Sequence, residues 1–364
     1  MARLDVASIP IRGACLVVCG LVLGGCLADG DDKPHRIQGD TATIYSSAPR
    51  HGVSAATARA VLAGERRALA ERRGRVGGLR IRLRLLSSTE DGAQPWNPDL
   101  VSANAHRAAD DPTAIAYLGE LDYGATAVSL PITNEADLLQ VSPADGLTSL
   151  TQRPPGRPRA GPERYYPSER RTFVRVTSID LLEAERLLAL AAGAGAERIA
   201  VVFDRDIYGR ELAAQILARA RERGLEPVAS EQYDGRLESI PDLARALAEA
   251  SPQAVVHAGV AGPGTGRLLA AIDRQLPGVP VYATSGILVR GAPIPAAPAH
   301  VEAVGPATPP RRAGYEAMRV AIDAIEAGGR DRRRVVRAAL RLAPRIDTDR
   351  LALFRLVGGR FSPR

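Results

Sequence analysis

Two α/β lobes, each doubly wound around a mainly parallel sheet, are what this 364-residue sequence predicts. Three observations carry the prediction. From Thr41 onward, short apolar runs alternate with stretches of helical periodicity, the pattern of a parallel sheet with helices on both faces. The alternation then breaks at Gln152–Arg171, where P-P-G-R-P-R-A-G-P and Y-Y-P are too rich in proline for a helix or an interior strand. Past that break the same alternation restarts, and the chain is long enough for each pass to build its own core.

Each element has a local reason. Thr41–Ala48 reads as a strand, and Ala55–Arg73 as a helix with small residues along one face. Leu79–Leu86 alternates Leu or Ile with Arg, the period of a strand with one solvated face. A helix near Asp99–Ala109, a strand at Ala114–Gly119, a helix at Ala125–Asn134 and a strand at Leu138–Val141 complete the first pass. In the second pass, helices at Leu181–Ala192, Tyr208–Arg223, Ile240–Ala250 and Gly264–Leu276 alternate with strands at Ile199–Phe203, Pro227–Tyr233, Ala254–Ala258 and Val279–Thr284. Gly224 follows Arg223 as a C-terminal cap. Gly291–Pro310 is again proline-rich. Helices at Tyr315–Ala327 and Arg333–Ala343 follow, then a hairpin over Leu351–Phe361 turning at Gly358-Gly359.

The first residues are set apart. Arg3 and Arg12 precede an apolar segment, Ala14 to Gly25, too short to span a bilayer as a stable helix. It ends Leu23-Gly24-Gly25-Cys26, which resembles a bacterial lipoprotein signal; the resemblance implies cleavage before Cys26 and a lipid on its thiol. An ordinary signal peptide cut elsewhere, or a retained anchor, is the competing reading. Residues 1–25 are thus expected to be a signal peptide and 26–39 a flexible tether. All three cysteines lie at or before position 26, so the remainder has no thiol for a disulfide, a metal or nucleophilic catalysis.

The net charge of +7 raises the question of nucleic acid. The arginines, however, are spread over every helical segment and interleaved with acids, and aromatic residues make up only 4%, too few for a base-stacking platform. No nucleic-acid partner is expected, and a basic surface beside an anionic membrane is the plainer use of the charge. Enzyme motifs are also missing. There is no G-x-S-x-G elbow, and the five histidines show no metal-ligand spacing. Gly262-Pro-Gly-Thr-Gly266 has neither the dinucleotide-binding spacing nor the lysine of a phosphate loop. No catalysis, cofactor or metal is expected.

In doubly wound sheets, ligands sit at the carboxyl ends of strands. Tyr208, in I-A-V-V-F-D-R-D-I-Y-G-R-E-L-A (199–213), lies at such an end. Either it faces a cleft between the lobes, or it packs on its own lobe with its hydroxyl in solvent. That stretch, together with Y-L-G-E-L-D-Y-G-A-T-A-V-S-L-P-I-T-N-E-A-D-L-L-Q-V-S-P-A-D-G-L-T-S-L-T (117–151), D-L-A-R-A-L-A-E-A-S-P-Q-A-V-V-H-A-G (242–259) and V-P-V-Y-A-T-S-G (279–286), resembles the type I periplasmic binding proteins. The branch most resembled is the branched-chain amino-acid-binding (Leu/Ile/Val) family of ABC transporter substrate-binding lipoproteins.

The resemblance implies lobe I over 40–172 plus about 288–345 and lobe II over 173–287 plus about 346–364, with a ligand cleft between them. It implies a monomeric, non-catalytic receptor on the outer face of the cytoplasmic membrane, delivering a small solute to an ABC permease. A lipid-anchored ligand sensor, or an interaction protein of the cell-wall synthase activator type, is the alternative on the same fold. By position, Ala144 would offer a backbone amide to the ligand and Tyr208 would close over it. Tyr123 stands where a small hydroxyl residue is usual, Gly146 where Thr or Ser is usual, and Ser285 where the ammonium-binding Glu would be. Val260 and Thr57 replace aromatic wall positions. A desolvated ammonium without a counter-charge is costly, so an α-amino acid bound in the family's manner should be rejected unless Asp206, Asp145 or Glu120 substitutes. The expected ligand is a small polar or carboxylated, amino-acid-like solute. Trp96 is a candidate for the cleft rim, or for a cap on its own lobe.

Overall fold

The computed structural model describes residues 35–52, 54–90, 96–262, 264–291, 294 and 300–364. The signal segment, Cys26 and most of the expected tether lie outside the described residues. Among the described residues no helix is long and apolar enough to cross a membrane.

The first sheet is built from β1 (Thr41–Ala48), β2 (Arg75–Val76), β3 (Leu79–Ser87), β4 (Ala114–Leu118), β5 (Leu139–Ser142) and β6 (Phe173–Arg175). Helices α1 (Ala55–Glu71), α2 (Pro98–Asp110) and α3 (Thr126–Glu135) connect them. The strand order is β2-β3-β1-β4-β5-β6, parallel except for the β2–β3 pair. The chain then enters the second sheet through α4 (Asp180–Gly193), β7 (Arg198–Phe203), α5 (Ile207–Glu222), β8 (Glu226–Gln232), α6 (Ile240–Glu249), β9 (Ala254–Ala258), α7 (Thr265–Gln275), β10 (Val281–Ala283) and β11 (Val301–Pro306). It returns to the first sheet as α8 (Pro310–Gly328) and α9 (Arg332–Leu342), and ends on the second as β12 (Leu351–Val357) and β13 (Arg360–Pro363). That sheet runs β13-β12-β11-β10-β9-β7-β8, with β12 and β13 antiparallel.

Numbering each sheet's five parallel strands in chain order gives 2-1-3-4-5 both times. The two halves are therefore one motif used twice, and each has a topological switch point between its first and third strands, where loops diverge and ligands lodge. The lobe boundaries expected from the sequence move at two places. Residues 173–175, expected in lobe II, pair with β5, so the first sheet extends past 172. Residues 301–306, expected in lobe I, pair with β10, so the return to lobe I begins at α8.

Helices α8 and α9 bury Ala317, Met318, Ala321, Ile325, Val335 and Ala339 against Ile44, Ile115, Leu118, Leu139 and Val141 of the first sheet. Two glycines let α8 lie tight on α1: a methyl group at Gly64 would collide with the Arg311 carbonyl, and one at Gly314 with the Val61 carbonyl. The second sheet has a core on each face, Leu243, Leu268 and Ile272 on one and Leu187, Leu212 and Ile216 on the other. The proline-rich excursion is not a loose linker. Its Tyr165 and Tyr166 are buried beside Leu130, Leu147 and Leu150, and the Tyr166 hydroxyl donates to the Leu150 carbonyl at 2.6 Å.

Candidate functional site

The C-terminal ends of the first sheet meet the second sheet around a cavity of about 270 Å³. Pro49, Ser54 and Thr57 enter from the loop after β1 and the start of α1, and Leu121, Asp122 and Tyr123 from the loop after β4. These are the two loops that diverge at the first sheet's switch point. Pro143 and Ala144 follow β5, and Val176 and Thr177 follow β6. The opposite wall is Ser285 and Leu288 after β10, Pro306 and Thr308 at the end of β11, and Phe354 on β12. Most of this wall is apolar, and Asp122 is the charged residue among its described members.

Four of the seven binding positions expected from the sequence share this wall: Thr57, Tyr123, Ala144 and Ser285. Tyr208 does not. It is fully buried, with its hydroxyl accepting from the Gly286 N–H at 3.2 Å and its ring centroid 4.2 Å from that of Tyr123. Tyr123 reaches from the first half to the second, its hydroxyl 2.6 Å from Ser285 Oγ. The hydroxyl is therefore not in solvent, and Tyr208 is the buried seat on which the Tyr123 ring of the other half rests. Gly146 is away from the wall, and a side chain there would collide with the Asp180 carboxylate. Val260 lines a separate hollow of about 180 Å³ with Asp204, Tyr233, His257 and Thr265, at the second sheet's own switch point.

The carboxylates considered as substitutes are committed elsewhere. Asp206 caps α5, accepting from the Tyr208 N–H. Asp145 accepts from the Leu147 N–H. Glu120 is buried and accepts from Tyr117 at 2.6 Å and Ser47 at 2.8 Å. The carboxylate that does reach the cavity is Asp122, 5% exposed, accepting from Ser54 Oγ at 3.1 Å. Asp122 adjoins Tyr123 in the loop after β4, and that place past a strand end is the signal the sequence offers for it. The Ala144 N–H, expected to face the ligand, donates to Ser142 Oγ at 3.2 Å.

Burial sets the protonation of several carboxyls. It pushes Glu120 up to about 8, against the opposing hydrogen bonds from Tyr117 and Ser47, and it pushes Glu65 up to about 8 as well. Burial also pushes the His257 imidazole down to about 4. A carboxyl whose native value is raised stabilises the fold below its unfolded value and loses that contribution as pH rises toward the native one. His257, lowered, adds stability as pH rises from about 4 to its ordinary 6.5, and nothing further above that. Between pH 6.5 and 8 the carboxyl contributions stand alone, so Tm is expected to fall across that window. Glu65→Gln should flatten the slope in calorimetric scans; an unchanged slope would count against Glu65 as a contributor.

The geometry has counterparts among known proteins. A family model described as "Periplasmic binding protein" matches residues 43–299. No curated protein is significantly similar. Among solved structures, the chain resembles a leucine-binding protein from Thermotoga maritima, at 18% identity and a TM-score of 0.67 over 89% of this chain and 98% of that one. It resembles an ABC transporter substrate-binding protein from Desulfitobacterium hafniense in complex with Leu, at 18% and 0.66 over 89% and 100%. It also resembles a solute-binding protein of an ABC transporter from R. palustris in complex with 4-hydroxybenzoate, at 15% and 0.66 over 89% and 96%.

Proposed function

Because this chain belongs to the periplasmic binding protein family, we propose that it is the extracytoplasmic solute receptor of an ABC importer, holding a small molecule between its two lobes without altering it. The observation that carries the reading is the cavity of about 270 Å³ at the switch point of the first sheet, closed from the other side by Ser285, Leu288 and Phe354. A cavity of about 150 Å³ already admits a benzene ring, so the solute is of amino-acid or small aromatic size. The relatives crystallised with leucine and with 4-hydroxybenzoate carry ligands of that size. A lipid on Cys26 would hold the receptor at the outer face of the cytoplasmic membrane, beside its permease, as a monomer.

A sensor role is the second reading, and one observation favours it: Tyr123 already bridges the halves through Ser285 and Tyr208. A closed receptor with an inbuilt bridge suits signalling as well as delivery. Recovery of the chain with a permease and ATPase from solubilised membranes would separate the two.

The test of binding is a thermal-shift screen of the full chain against a metabolite library. A ligand at one hundred times its Kd adds about 2.7 kcal/mol of stability. Thr57→Phe puts a ring into the cavity from a half-exposed helix position, and it should abolish the shift while leaving the unliganded Tm nearly unchanged. No stabilising compound, or a hit indifferent to Thr57→Phe, would remove the cavity as the solute site.

A further inference from the structure

We propose that the outer edge of the first sheet, along β3, is a docking surface for an anionic lipid bilayer, with its arginines set against the headgroups. The proposal is independent of what the cavity holds.

Three observations support it. The first is charge. Arg80, Arg82 and Arg84 alternate along β3, so they share one face of the sheet, and all three are exposed. Arg75 of β2 is also exposed and is the cross-strand partner of Arg80. Two like charges directly opposite each other cost stability in water, and an anionic surface would relieve that repulsion. The acids beside the row are few. Asp40 lies 3.6 Å from Arg80, and Asp111, near Arg84, already accepts from the Tyr45 and Thr113 hydroxyls. Among the described residues, Arg75, Arg82 and Arg84 have no carboxylate within 4 Å.

The second observation is the edge itself. β1 lies along one side of β3, whereas β2 pairs with the other side only at Leu79 and Arg80, so no described strand covers β3 from Arg82 to Ser87. On the sheet face opposite the arginines, the half-exposed Leu83 and Leu85 line an open hollow of about 310 Å³ with Arg66, Leu69 and Ala70 of α1. Cations on one side of the edge and leucines on the other match the boundary between headgroups and acyl chains.

The third is where the chain enters. The Ile37 N–H donates to the Arg330 carbonyl at 2.8 Å, and a Cβ on Gly77, in the turn between β2 and β3, would meet the neighbouring Ile325 carbonyl at 3.3 Å. The incoming chain and the arginine edge therefore lie at one end of the first half. Cys26 is eleven residues ahead of Ile37, a reach of at most about 40 Å. A lipid there would hold this end of the molecule at the bilayer.

The test is co-sedimentation of the full chain carrying Cys26→Ser, which removes the lipid acceptor, with phosphatidylcholine vesicles containing or lacking about 30 mol% phosphatidylglycerol. Binding to the anionic vesicles should be at least tenfold tighter than to the neutral ones, and should weaken at least tenfold between about 50 and about 300 mM NaCl. Each arginine near an anionic surface contributes roughly fivefold in affinity. Arg80→Gln/Arg82→Gln/Arg84→Gln should therefore weaken anionic binding at least thirtyfold, and Arg82→Gln alone at least threefold. Arg186→Gln/Arg221→Gln/Arg274→Gln removes three exposed charges from the second half and should change it less than threefold. Circular dichroism checks that each variant is folded. Equal binding to both vesicles, or equal losses in the two triple variants, overturns the docking surface. So does a chain that ignores vesicles but dimerises through this edge, with Arg82→Gln altering the dimer, which would give β3 to a second copy. None of these outcomes bears on the solute site.

Discussion

Gly314→Val is expected to cost about 4 kcal/mol of stability or more, or to leave no folded protein. The Gly314 methylene faces the Val61 backbone of α1, and a Cβ there would collide with that carbonyl oxygen. The mirror-image contact, Gly64 against the Arg311 carbonyl, shows that the two helices touch backbone to backbone. A backbone cannot rotate away as a side chain can, so α8 would have to lift off α1 and expose the core that Ala317, Ala321 and Ile325 share with the first sheet. Urea unfolding followed by circular dichroism measures the loss. Gly193→Ala is the control: nothing lies within 4 Å of its added methyl group, at the end of α4, and it should be neutral or slightly stabilising. A Gly314 variant as stable as that control would mean the helices are farther apart than described.

Tyr123→Ala is expected to cost about 3 kcal/mol, and Tyr123→Phe about 1 kcal/mol. The ring rests on Tyr208 at 4.2 Å with the planes tilted by 31°, and the hydroxyl meets Ser285 at 2.6 Å. Phenylalanine keeps the first contact and loses the second; alanine loses both and widens the cavity. An aromatic pair contributes roughly 0.5–1.5 kcal/mol beyond its buried area, so the two variants should separate clearly in denaturant midpoints. Equal losses would assign the whole effect to the hydroxyl and none to the ring contact. Other links between the halves persist in both variants, including Thr148 to Gln215 at 3.0 Å and the Ser149 N–H to Glu211 at 2.9 Å. The variants should therefore fold.

The fold was legible wherever burial writes itself into runs of residues. The strands at 41–48 and 254–258 match their expected bounds, the first lying between Asp40 and Pro49 and the second between Gln253 and Gly259. Three strands carry no clear signal in the sequence. Arg75–Val76 is too short to show a period, and Phe173–Arg175 follows the proline-arginine excursion with three residues. Val301–Pro306 lies in a proline-rich segment and carries Gly305 and Pro306, yet Val301, Ala303 and Val304 are buried in the second sheet. Helix α8 begins at Pro310 rather than Tyr315, since proline suits a first turn that lacks hydrogen-bonded N–H groups.

The site was less legible. Sequence position brought out Thr57, Tyr123, Ala144 and Ser285, because a residue just past a parallel strand must face the region where the lobes meet. It could not show that the Tyr123 side chain reaches Ser285 and lies on Tyr208, since that depends on the distance between two loops 162 residues apart in the chain. The same ignorance hid Asp122. A loop carboxylate is ordinarily solvated, and only the surrounding Leu121, Pro143 and Val176 make this one a wall of the cavity.

The most direct measurement is the Kd of the strongest screening hit, titrated calorimetrically into the wild-type chain and into Thr57→Phe. The account predicts micromolar or tighter binding to the first and at least a hundredfold weaker binding to the second. Equal affinities would place the solute somewhere other than between the two sheets.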